Sequence, residues 1–280
     1  MKIIIPMAGR GSRLRPHTLT VPKPLVPVAG KPIVQRLVED LAKSFDGKIE
    51  EIAFIIGDFG EGVKEELIAI AESLGAKGSV YSQDQPLGTA HAILCAKESL
   101  SGNCIVAFAD TLFKASFDFD PEVDGMIWVQ KVADPSAFGV VKVNEKNIIT
   151  DFVEKSPVFV SDLAIVGIYY FRDGENLREE LQYLIDHDIK DKGEYQLTNA
   201  LENMKQKGLG FQPGEIEEWL DCGNKDAVIY TNQRILEFNK DQKTVADSVT
   251  MENAIIIPPC FIGENAILKN VIVGPHVSIG

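Results

Sequence analysis

The stretch Ala8-Gly-Arg-Gly-Ser-Arg-Leu-Arg-Pro-His-Thr-Leu-Thr-Val-Pro-Lys23 decides how the rest of the sequence is interpreted, because it directly follows the apolar run Ile3-Ile4-Ile5-Pro6-Met7. An apolar run that opens into glycines is typical of a buried strand ending in a loop. The two glycines lack a Cβ, so the backbone can come close to a ligand and direct its N–H groups at anionic oxygens. Arginine and lysine side chains bring positive charge to the same place. The stretch therefore predicts a loop that binds a polyanion.

This glycine loop differs from two common phosphate-binding motifs. A Rossmann fingerprint needs a third glycine three residues after Gly11, where the sequence has Leu14, and the Gly-Lys-Ser/Thr of a Walker loop is absent. The segment from Gly9 to Leu25 instead resembles, without a gap, the G-x-G-[ST]-R-L-x-P-x-T…P-K-P-L signature of the sugar-nucleotide pyrophosphorylases. These nucleotidyltransferases join a sugar 1-phosphate to a nucleoside triphosphate. The alternative, a surface turn without a ligand, does not require positive charge beside the glycines.

Length and charge narrow the class of protein. The 280 residues suffice for one large α/β domain with an appendage, and the net charge of −13 disfavours a nucleic-acid partner. The four cysteines show no C-x-x-C spacing, which favours reduced thiols over disulfides or zinc ligands. Neither a signal peptide nor a membrane-spanning apolar run is found in the sequence. We expect a cytoplasmic protein without a membrane partner, which forms a homo-oligomer.

Strand and helix patterns alternate through the first part of the chain. This alternation predicts an α/β fold with a doubly wound, mixed and mostly parallel sheet of Rossmann-like type, in which ligands bind at the carboxyl ends of the strands. Gly9, Gln83 and Asp110 fall at such ends. The predicted strands are 3–7, 52–56, 80–82 and 104–109, and the predicted helices are 31–45, 61–74 and 89–100.

From Met126 onward the pattern changes to shorter strands, which we expect to hold the second substrate. The predicted strands are 126–132, 139–143, 148–154 and 164–171, followed by helices 175–188 and 196–207, a strand with 218–221, and a helix 225–239.

The last thirty residues have a different pattern. Apolar residues recur there at intervals of five or six, which resembles the hexapeptide repeats of a left-handed parallel β-helix. We therefore predict a nucleotidyltransferase catalytic domain at 1–240 and the start of a hexapeptide-repeat β-helix at 250–280. The sequence stops in mid-repeat, so the natural chain is expected to continue; an irregular apolar tail is the alternative. The recurring residues are Ile256, Ile262, Leu268, Val273 and Ile279.

The resemblance implies attack of a sugar 1-phosphate oxygen on the α-phosphorus of a nucleoside triphosphate, with release of pyrophosphate. Such chemistry depends on holding two anions in line and on offsetting their charge. By the resemblance, the catalytic residues are Arg13, which holds the triphosphate, and Lys23, which polarises the α-phosphate. The nucleotide is further contacted by Ala8, Gly9, Gly11 and Ser12.

Two aspartates are candidates for binding Mg²⁺, which takes one or two carboxylates together with phosphate oxygens and water. Asp110 follows an apolar strand, and Asp221 lies in a segment that matches the family's W-x-D-x-G. An aspartate after a strand is often only a turn former. Two aspartates at the matching positions predict a magnesium site.

The segment from Gln83 to Ala90 resembles the family's Q-x-x-x-x-G-[TL]-A. The resemblance implies that the Gln83 amide and the Gly88 backbone read the edge of uracil or thymine, since an amide both donates and accepts hydrogen bonds. A simple helix start at Gly88 is the alternative, and it is compatible with this role.

The resemblance also implies a set of residues that contact the sugar phosphate. Ser156 departs from the family's E-K-P, and Thr111 replaces the asparagine often found after the metal aspartate, which leaves the sugar open. Glu194 has a second interpretation, as a carboxylate that is favoured at a helix N-terminus. The set comprises Gly139, Glu154, Lys155, Gly167 and Glu194.

The resemblance therefore implies a nucleotidyltransferase, similar to the glucose-1-phosphate thymidylyltransferases, that combines a sugar 1-phosphate with dTTP or UTP. One alternative is a mannose-1-phosphate guanylyltransferase, and another is a non-catalytic regulatory homologue, which would be expected to lack the charged residues present here. The four histidines form no cluster in the sequence and are interpreted as surface or packing residues.

Overall fold

A computed structural model describes residues 1–9, 11–45, 48–115, 117 and 120–280. The chain divides into two compact units, Met1–Gly9 with Val38–Trp219 and Arg10–Leu37 with Leu220–Gly280. The strands are β1 (Lys2–Pro6), β2 (Pro27–Val28), β3 (Lys31–Pro32), β4 (Glu51–Ile56), β5 (Lys77–Ser82), β6 (Cys104–Ala107), β7 (Thr111–Lys114), β8 (Gly125–Lys131), β9 (Gly139–Val143), β10 (Ile149–Glu154), β11 (Leu163–Phe171), β12 (Phe211–Glu215), β13 (Glu218–Asp221), β14 (Thr250–Ile256), β15 (Phe261–Ile262), β16 (Ile267–Val273) and β17 (Ser278–Ile279). The helices are α1 (Ile33–Ser44), α2 (Val63–Ser73), α3 (Thr89–Cys95), α4 (Gly174–Asp186), α5 (Leu197–Gln206) and α6 (Lys225–Phe238).

The first unit is built on a nine-stranded sheet of order β10-β9-β11-β6-β1-β4-β5, with β8 beside β11 and β12 beside β8. Strands β1, β4, β5 and β6 are parallel to their neighbours in this group, and β12 is parallel to β8. Strand β11 runs antiparallel to β6, β8 and β9, and β10 runs antiparallel to β9. Only β10 and β11 thus oppose the common direction, and the predicted mixed, mostly parallel sheet is confirmed.

Continuous apolar runs place the central strands in the core. Ile3, Ile4 and Ile5 of β1 are fully buried, as is the run Ile52–Ile55 of β4. Parallel strands buried on both faces carry such runs, because helices cover the sheet on either side. The four cysteines are free thiols, as the sequence predicted.

A buried carboxylate lies at the start of β4. The Glu51 side chain accepts hydrogen bonds from Ser79 Oγ at 2.5 Å, Ser99 Oγ at 3.0 Å and Lys77 Nζ at 3.3 Å. Burial raises the pKa of Glu51, but these hydrogen bonds outweigh it, and the net effect holds the pKa below its usual value. The charged form of Glu51 is therefore stabilised in the folded protein.

Four strands were missed by the sequence prediction, namely β2, β3, β7 and β12. Strand β12 contains Pro213 and Gly214, residues that disfavour strands, yet it pairs in parallel with β8. A Cβ on Gly214 would lie 2.8 Å from Trp128 Nε1, so the bulk of this tryptophan explains the glycine. Strand β7 was not assigned to any element from the sequence. Helix α1 begins at Ile33, two residues later than predicted, because Lys31–Pro32 pairs with Pro27–Val28 in a short hairpin.

In the second unit, polar side chains fasten the hairpin β2–β3. Arg36 donates from Nε to Val28 O at 2.6 Å and from Nη2 to Ala29 O at 2.7 Å. Asn232 of α6 accepts from Ala29 N at 2.9 Å and donates to His276 O at 3.0 Å. The turn that follows the lysine-containing loop is thereby held in one conformation.

The tail of the second unit consists of stacked parallel strands. Strand β14 pairs with β16, and β15 pairs with β17, each with partners 17 residues apart. Cys260, Ile262, Leu268 and Val273 form its small buried core. Parallel stacking of this kind is what repeated coils require; the left-handed β-helix and the domain limits 1–240 and 250–280 stay predictions.

Among the described residues, none of the helices combines the length and the apolar composition needed to cross a bilayer.

Candidate active site

The glycine loop forms three short 3-10 turns, Ser12–Leu14, His17–Leu19 and Lys23–Leu25, in the second unit. Gly11 has φ of +60°, a conformation that favours glycine, and its carbonyl accepts from Leu14 N at 3.0 Å and from Thr18 Oγ1 at 2.7 Å. Leu14 is buried and anchors the loop, whereas Ser12 and Arg13 are exposed. The loop therefore turns its buried leucine inward and presents Arg13 to solvent.

Lys23 is a buried cation of this loop, with only 9% of its surface exposed. A Cβ on Gly11 would lie 2.7 Å from Lys23 Cβ, so the missing side chain of Gly11 makes room for the lysine stem. Glycine is thus required at position 11 for two reasons: the positive φ and the space that the lysine stem occupies. Gly9, in the first unit, has open space beside it: apart from its chain neighbours, no described residue has an atom within 4 Å of a Cβ built at this position. The backbone of the preceding residue packs closely on Gly57, because a Cβ on Gly57 would lie 3.0 Å from Ala8 O.

The segment that the sequence predicts to contact the base, from Gln83 to Ala90, follows β5 in the first unit. Gln83 N donates to Ile56 O at 2.8 Å, which continues the parallel register of β4 and β5 beyond their ends. The Gln83 amide nitrogen lies 3.2 Å from Gly88 O and 3.0 Å from His91 Nδ1. Burial lowers the pKa of His91, which favours its neutral form. His91 was interpreted from the sequence as a surface or packing residue; its position in the first turn of α3, eight residues after the glutamine, was the available signal.

A second segment lies directly over Gly88. Tyr195 N donates to Leu87 O at 2.8 Å, and Ala90 N donates to Tyr195 O at 2.9 Å. A Cβ on Gly88, whose φ is +113°, would lie 2.4 Å from Tyr195 O. Glu194 lies next to this contact, because its Cβ is 3.0 Å from the Cβ that an alanine would have at position 88. The structure thus brings two predicted site residues, Gly88 and Glu194, together from distant parts of the chain.

Asp110 lies in the tight turn between β6 and β7, closed by a hydrogen bond of 3.2 Å from Thr111 N to Phe108 O. The hydroxyl of Thr111 donates to Val166 O at 2.7 Å, and Phe108 N donates to Gly167 O at 3.0 Å. Gly167 has φ of +97° at a register shift in β11. The bulge of β11 therefore holds the turn that carries the half-buried Asp110.

Asp221 ends β13 in the second unit. Its Oδ1 accepts from Gly223 N at 2.9 Å, and its carbonyl accepts from Thr231 Oγ1 at 2.8 Å. A Cβ on Gly223 would lie 2.9 Å and 3.1 Å from the two carboxylate oxygens, so the glycine keeps space beside them.

Each of the two aspartates, taken by itself, has the chemistry of a magnesium ligand. Both are half-buried carboxylates at the ends of strands, and hard oxygen ligands suit this ion. Among the described residues, no group of three or more His, Cys, Asp or Glu side chains is gathered as a metal site. Mg²⁺ bound together with a substrate typically uses only one or two carboxylates, so a larger cluster of acidic side chains is not required.

Two amino acids that the sequence predicts to contact the sugar, Gly139 on β9 and Glu154 on β10, are cross-strand neighbours. Glu154 pairs with Gly139, and a Cβ on Gly139 would lie 2.9 Å from Glu154 Oε2. Lys155 Nζ lies 3.3 Å from Glu154 Oε1, and its N donates to Phe138 O at 3.2 Å. Burial, together with the nearby Glu154 carboxylate, raises the pKa of Tyr169. The absence of a side chain at Gly139 thus gives the Glu154 carboxylate its place.

The fold and these residues define a class of protein. A family model described as nucleotidyl transferase matches residues 2–237, and the chain belongs to this family. Its members relevant here are sugar-1-phosphate nucleotidyltransferases, which use a nucleoside triphosphate and a sugar 1-phosphate.

Three relatives illustrate the range of proteins to which the chain is similar. The chain is 31% identical to the low-salt glycan biosynthesis nucleotidyltransferase Agl11 of Haloferax volcanii, over 91% of this chain and 72% of that protein. It is 31% identical to the bifunctional protein GlmU of Methanococcus maripaludis, over 96% of this chain and 62% of that protein. It is 29% identical to a glucose-1-phosphate thymidylyltransferase of Streptomyces antibioticus, over the whole chain and 83% of that protein.

A solved structure shares the fold. This putative glucose-1-phosphate thymidylyltransferase from Bacillus anthracis, in complex with a sucrose, superposes with a TM-score of 0.70 at 24% identity, over 82% of this chain and 93% of that one.

Proposed function

We propose that this chain transfers a uridylyl or thymidylyl group from UTP or dTTP to a sugar 1-phosphate, giving a nucleotide sugar and pyrophosphate. The observation that carries the choice of base is the Gln83 amide, whose nitrogen lies 3.2 Å from the Gly88 carbonyl. A carbonyl only accepts, so the amide nitrogen faces Gly88 and the amide oxygen is turned the other way. Uracil and thymine carry an N3–H that can donate to this oxygen, whereas N3 of cytosine carries no hydrogen.

Guanine also carries an N–H beside a carbonyl, but on a larger, two-ring base with an added amino group. We infer that the segment from Gln83 to Gly88 accommodates the smaller pyrimidine, with Ala8, Gly9, Gly11 and Ser12 along the rest of the nucleotide.

In the proposed reaction, positively charged side chains bind the phosphate groups and offset their negative charge. Arg13, exposed in its loop, is suited to bind the triphosphate through the forked geometry of its guanidinium. Lys23, held by its stem against Gly11, would place its ammonium at the α-phosphate, where charge develops as the new bond forms. Lys155 would pair with the sugar phosphate, and Glu154 would accept from sugar hydroxyl groups. Gly139, Gly167 and Glu194 complete the proposed sugar site.

Asp110 and Asp221 are the residues that we propose hold Mg²⁺. When bound, the ion would offset negative charge on the phosphate oxygens. The carboxylate of Asp221 is oriented for this function by its hydrogen bond from Gly223 N, and the tight turn fixes Asp110.

The test is a competition among UTP, dTTP, GTP and ATP at equal concentration, each with a panel of sugar 1-phosphates, scored by pyrophosphate release in the presence of Mg²⁺. We expect UTP or dTTP to be used well ahead of both purine nucleotides. Loss of one hydrogen bond to the base corresponds to roughly a ten- to hundredfold loss of selectivity, so Gln83→Ala should reduce the base preference more than the sugar preference. A preference for GTP would favour the guanylyltransferase alternative, and no turnover with any pair would refute the proposal.

A further inference from the structure

We propose that His91 is a positioning residue for nucleotide selection: it orients the Gln83 amide so that the oxygen of the amide faces the base. This inference rests on the proposed function, because it concerns the same base site.

The hydrogen bonds of the Gln83 amide nitrogen carry the argument. This nitrogen lies 3.2 Å from Gly88 O and 3.0 Å from His91 Nδ1. Because the Gly88 carbonyl can only accept, the atom facing it is the nitrogen and not the oxygen. One N–H is thus directed at Gly88, and the second is directed at the His91 ring. Both N–H groups of the amide are then engaged, and the oxygen is the polar atom that remains for a ligand.

His91 can perform this function only as an acceptor at Nδ1. A neutral imidazole has one acceptor nitrogen, and its other nitrogen carries the hydrogen. Burial lowers the pKa of His91, which keeps the ring neutral, and the contact with the amide then requires the tautomer with hydrogen on Nε2. Position 91 lies in the first turn of α3, three residues after Gly88, and helical side chains point back toward the N-terminus. The helix therefore directs His91 toward the same carbonyl that holds the glutamine.

This arrangement makes the outward face of the amide an acceptor. An acceptor selects bases with an N–H at this place, as in uracil and thymine. Without His91, the Gly88 carbonyl alone holds the amide, which can then rotate and present a donor. Loss of one such hydrogen bond corresponds to about a five- to tenfold loss of selectivity for N3–H.

The experiment compares UTP with N3-methyl-UTP, or dTTP with its N3-methyl analogue if dTTP is the better substrate, since the methyl group removes only the N3–H donor and adds bulk there. The variants are His91→Leu, which removes the acceptor, and His91→Asn, whose Oδ1 can replace Nδ1. His187→Leu is the matched control, because His187 is an exposed histidine of the same unit. For each protein, kcat and KM are measured with both nucleotides.

We expect His91→Leu to lower the ratio of kcat/KM for the two nucleotides about five- to tenfold, mainly through KM for the unmethylated one. His91→Asn should restore most of the ratio, and the control should keep it. In a Gln83→Ala background, His91→Leu should have no further effect on the ratio, because the two residues act as one unit. An unchanged ratio in His91→Leu, or an equal loss with both nucleotides, would overturn the inference.

A second measurement does not depend on activity. Nitrogen-15 NMR of the histidine rings, with His91 assigned by its loss in the leucine variant, should show a neutral ring with hydrogen on Nε2. Hydrogen on Nδ1 would overturn the inference whatever the kinetic constants of the variants. Failure of the wild-type protein to use UTP or dTTP would instead refute the proposed function, and the NMR result would still decide the orientation of the ring toward Gln83.

Discussion

Replacement of Gly88 by alanine tests whether the segment around Gly88 and the segment around Tyr195 are held together as the structure describes. A Cβ at position 88 would lie 2.4 Å from Tyr195 O and 2.7 Å from Tyr195 N, and both are backbone atoms that cannot rotate away. The two segments must separate, and the hydrogen bonds Tyr195 N to Leu87 O and Ala90 N to Tyr195 O are lost or weakened. At about 1 kcal/mol for each hydrogen bond, this costs about 2 kcal/mol. The positive φ adds about 1–3 kcal/mol of strain.

The matched control is Gly208→Ala. Gly208 has φ of +97°, and no atom of the described residues lies within 4 Å of a Cβ built on it, so this variant carries backbone strain alone. The free energy of unfolding, measured by urea denaturation, should fall about 2 kcal/mol further in Gly88→Ala than in Gly208→Ala. The KM for the nucleoside triphosphate should also rise in the Gly88 variant only. Equal free energies of unfolding for the two variants would refute the reasoning.

Two further predictions concern carboxylates. The pKa of Glu51 is lowered in the folded protein, so its contribution to stability is complete above the unfolded value of 4.5 and is lost as the pH falls below 4.5 toward the folded value. In urea denaturation at a series of pH values, Glu51→Gln should therefore reduce the loss of unfolding free energy at acid pH. An unaltered loss at acid pH would contradict this prediction. Asp110→Asn and Asp221→Asn should each abolish Mg²⁺-dependent pyrophosphate release while circular dichroism stays unchanged, and full activity in either variant, or in excess chelator, would contradict the metal assignment.

Much of the fold could be predicted because burial leaves a local pattern in the sequence. The strands β1 and β4 are continuous apolar runs, which a parallel sheet covered on both faces requires. Strand β9 was predicted with its observed bounds. Strand β12 was missed, since its Pro213 and Gly214 argue against a strand. Its formation depends on the neighbour β8 and on the bulk of Trp128, which no local pattern contains.

The candidate site divides in the same way. The predicted phosphate loop was recognised from its residue types, two glycines and a lysine twelve residues after Gly11, because phosphate binding requires backbone N–H groups and cations close together. The positive φ of Gly11 was found only in the structure. The contact between Gly88 and Tyr195 could not be predicted, since it joins segments more than one hundred residues apart.

The sequence alone was sufficient to predict the apolar core strands β1 and β4, the glycine loop and the kinds of side chain in the candidate site. These features are local, because each depends on residues close to one another along the chain. The tertiary structure alone decided that Gly88 lies against Tyr195, that Gly139 makes room for Glu154, and that His91 contacts Gln83. The physical reason is that close packing and hydrogen-bond geometry depend on how separate elements meet in space, and a hydrophobic pattern specifies only which face of each element is buried.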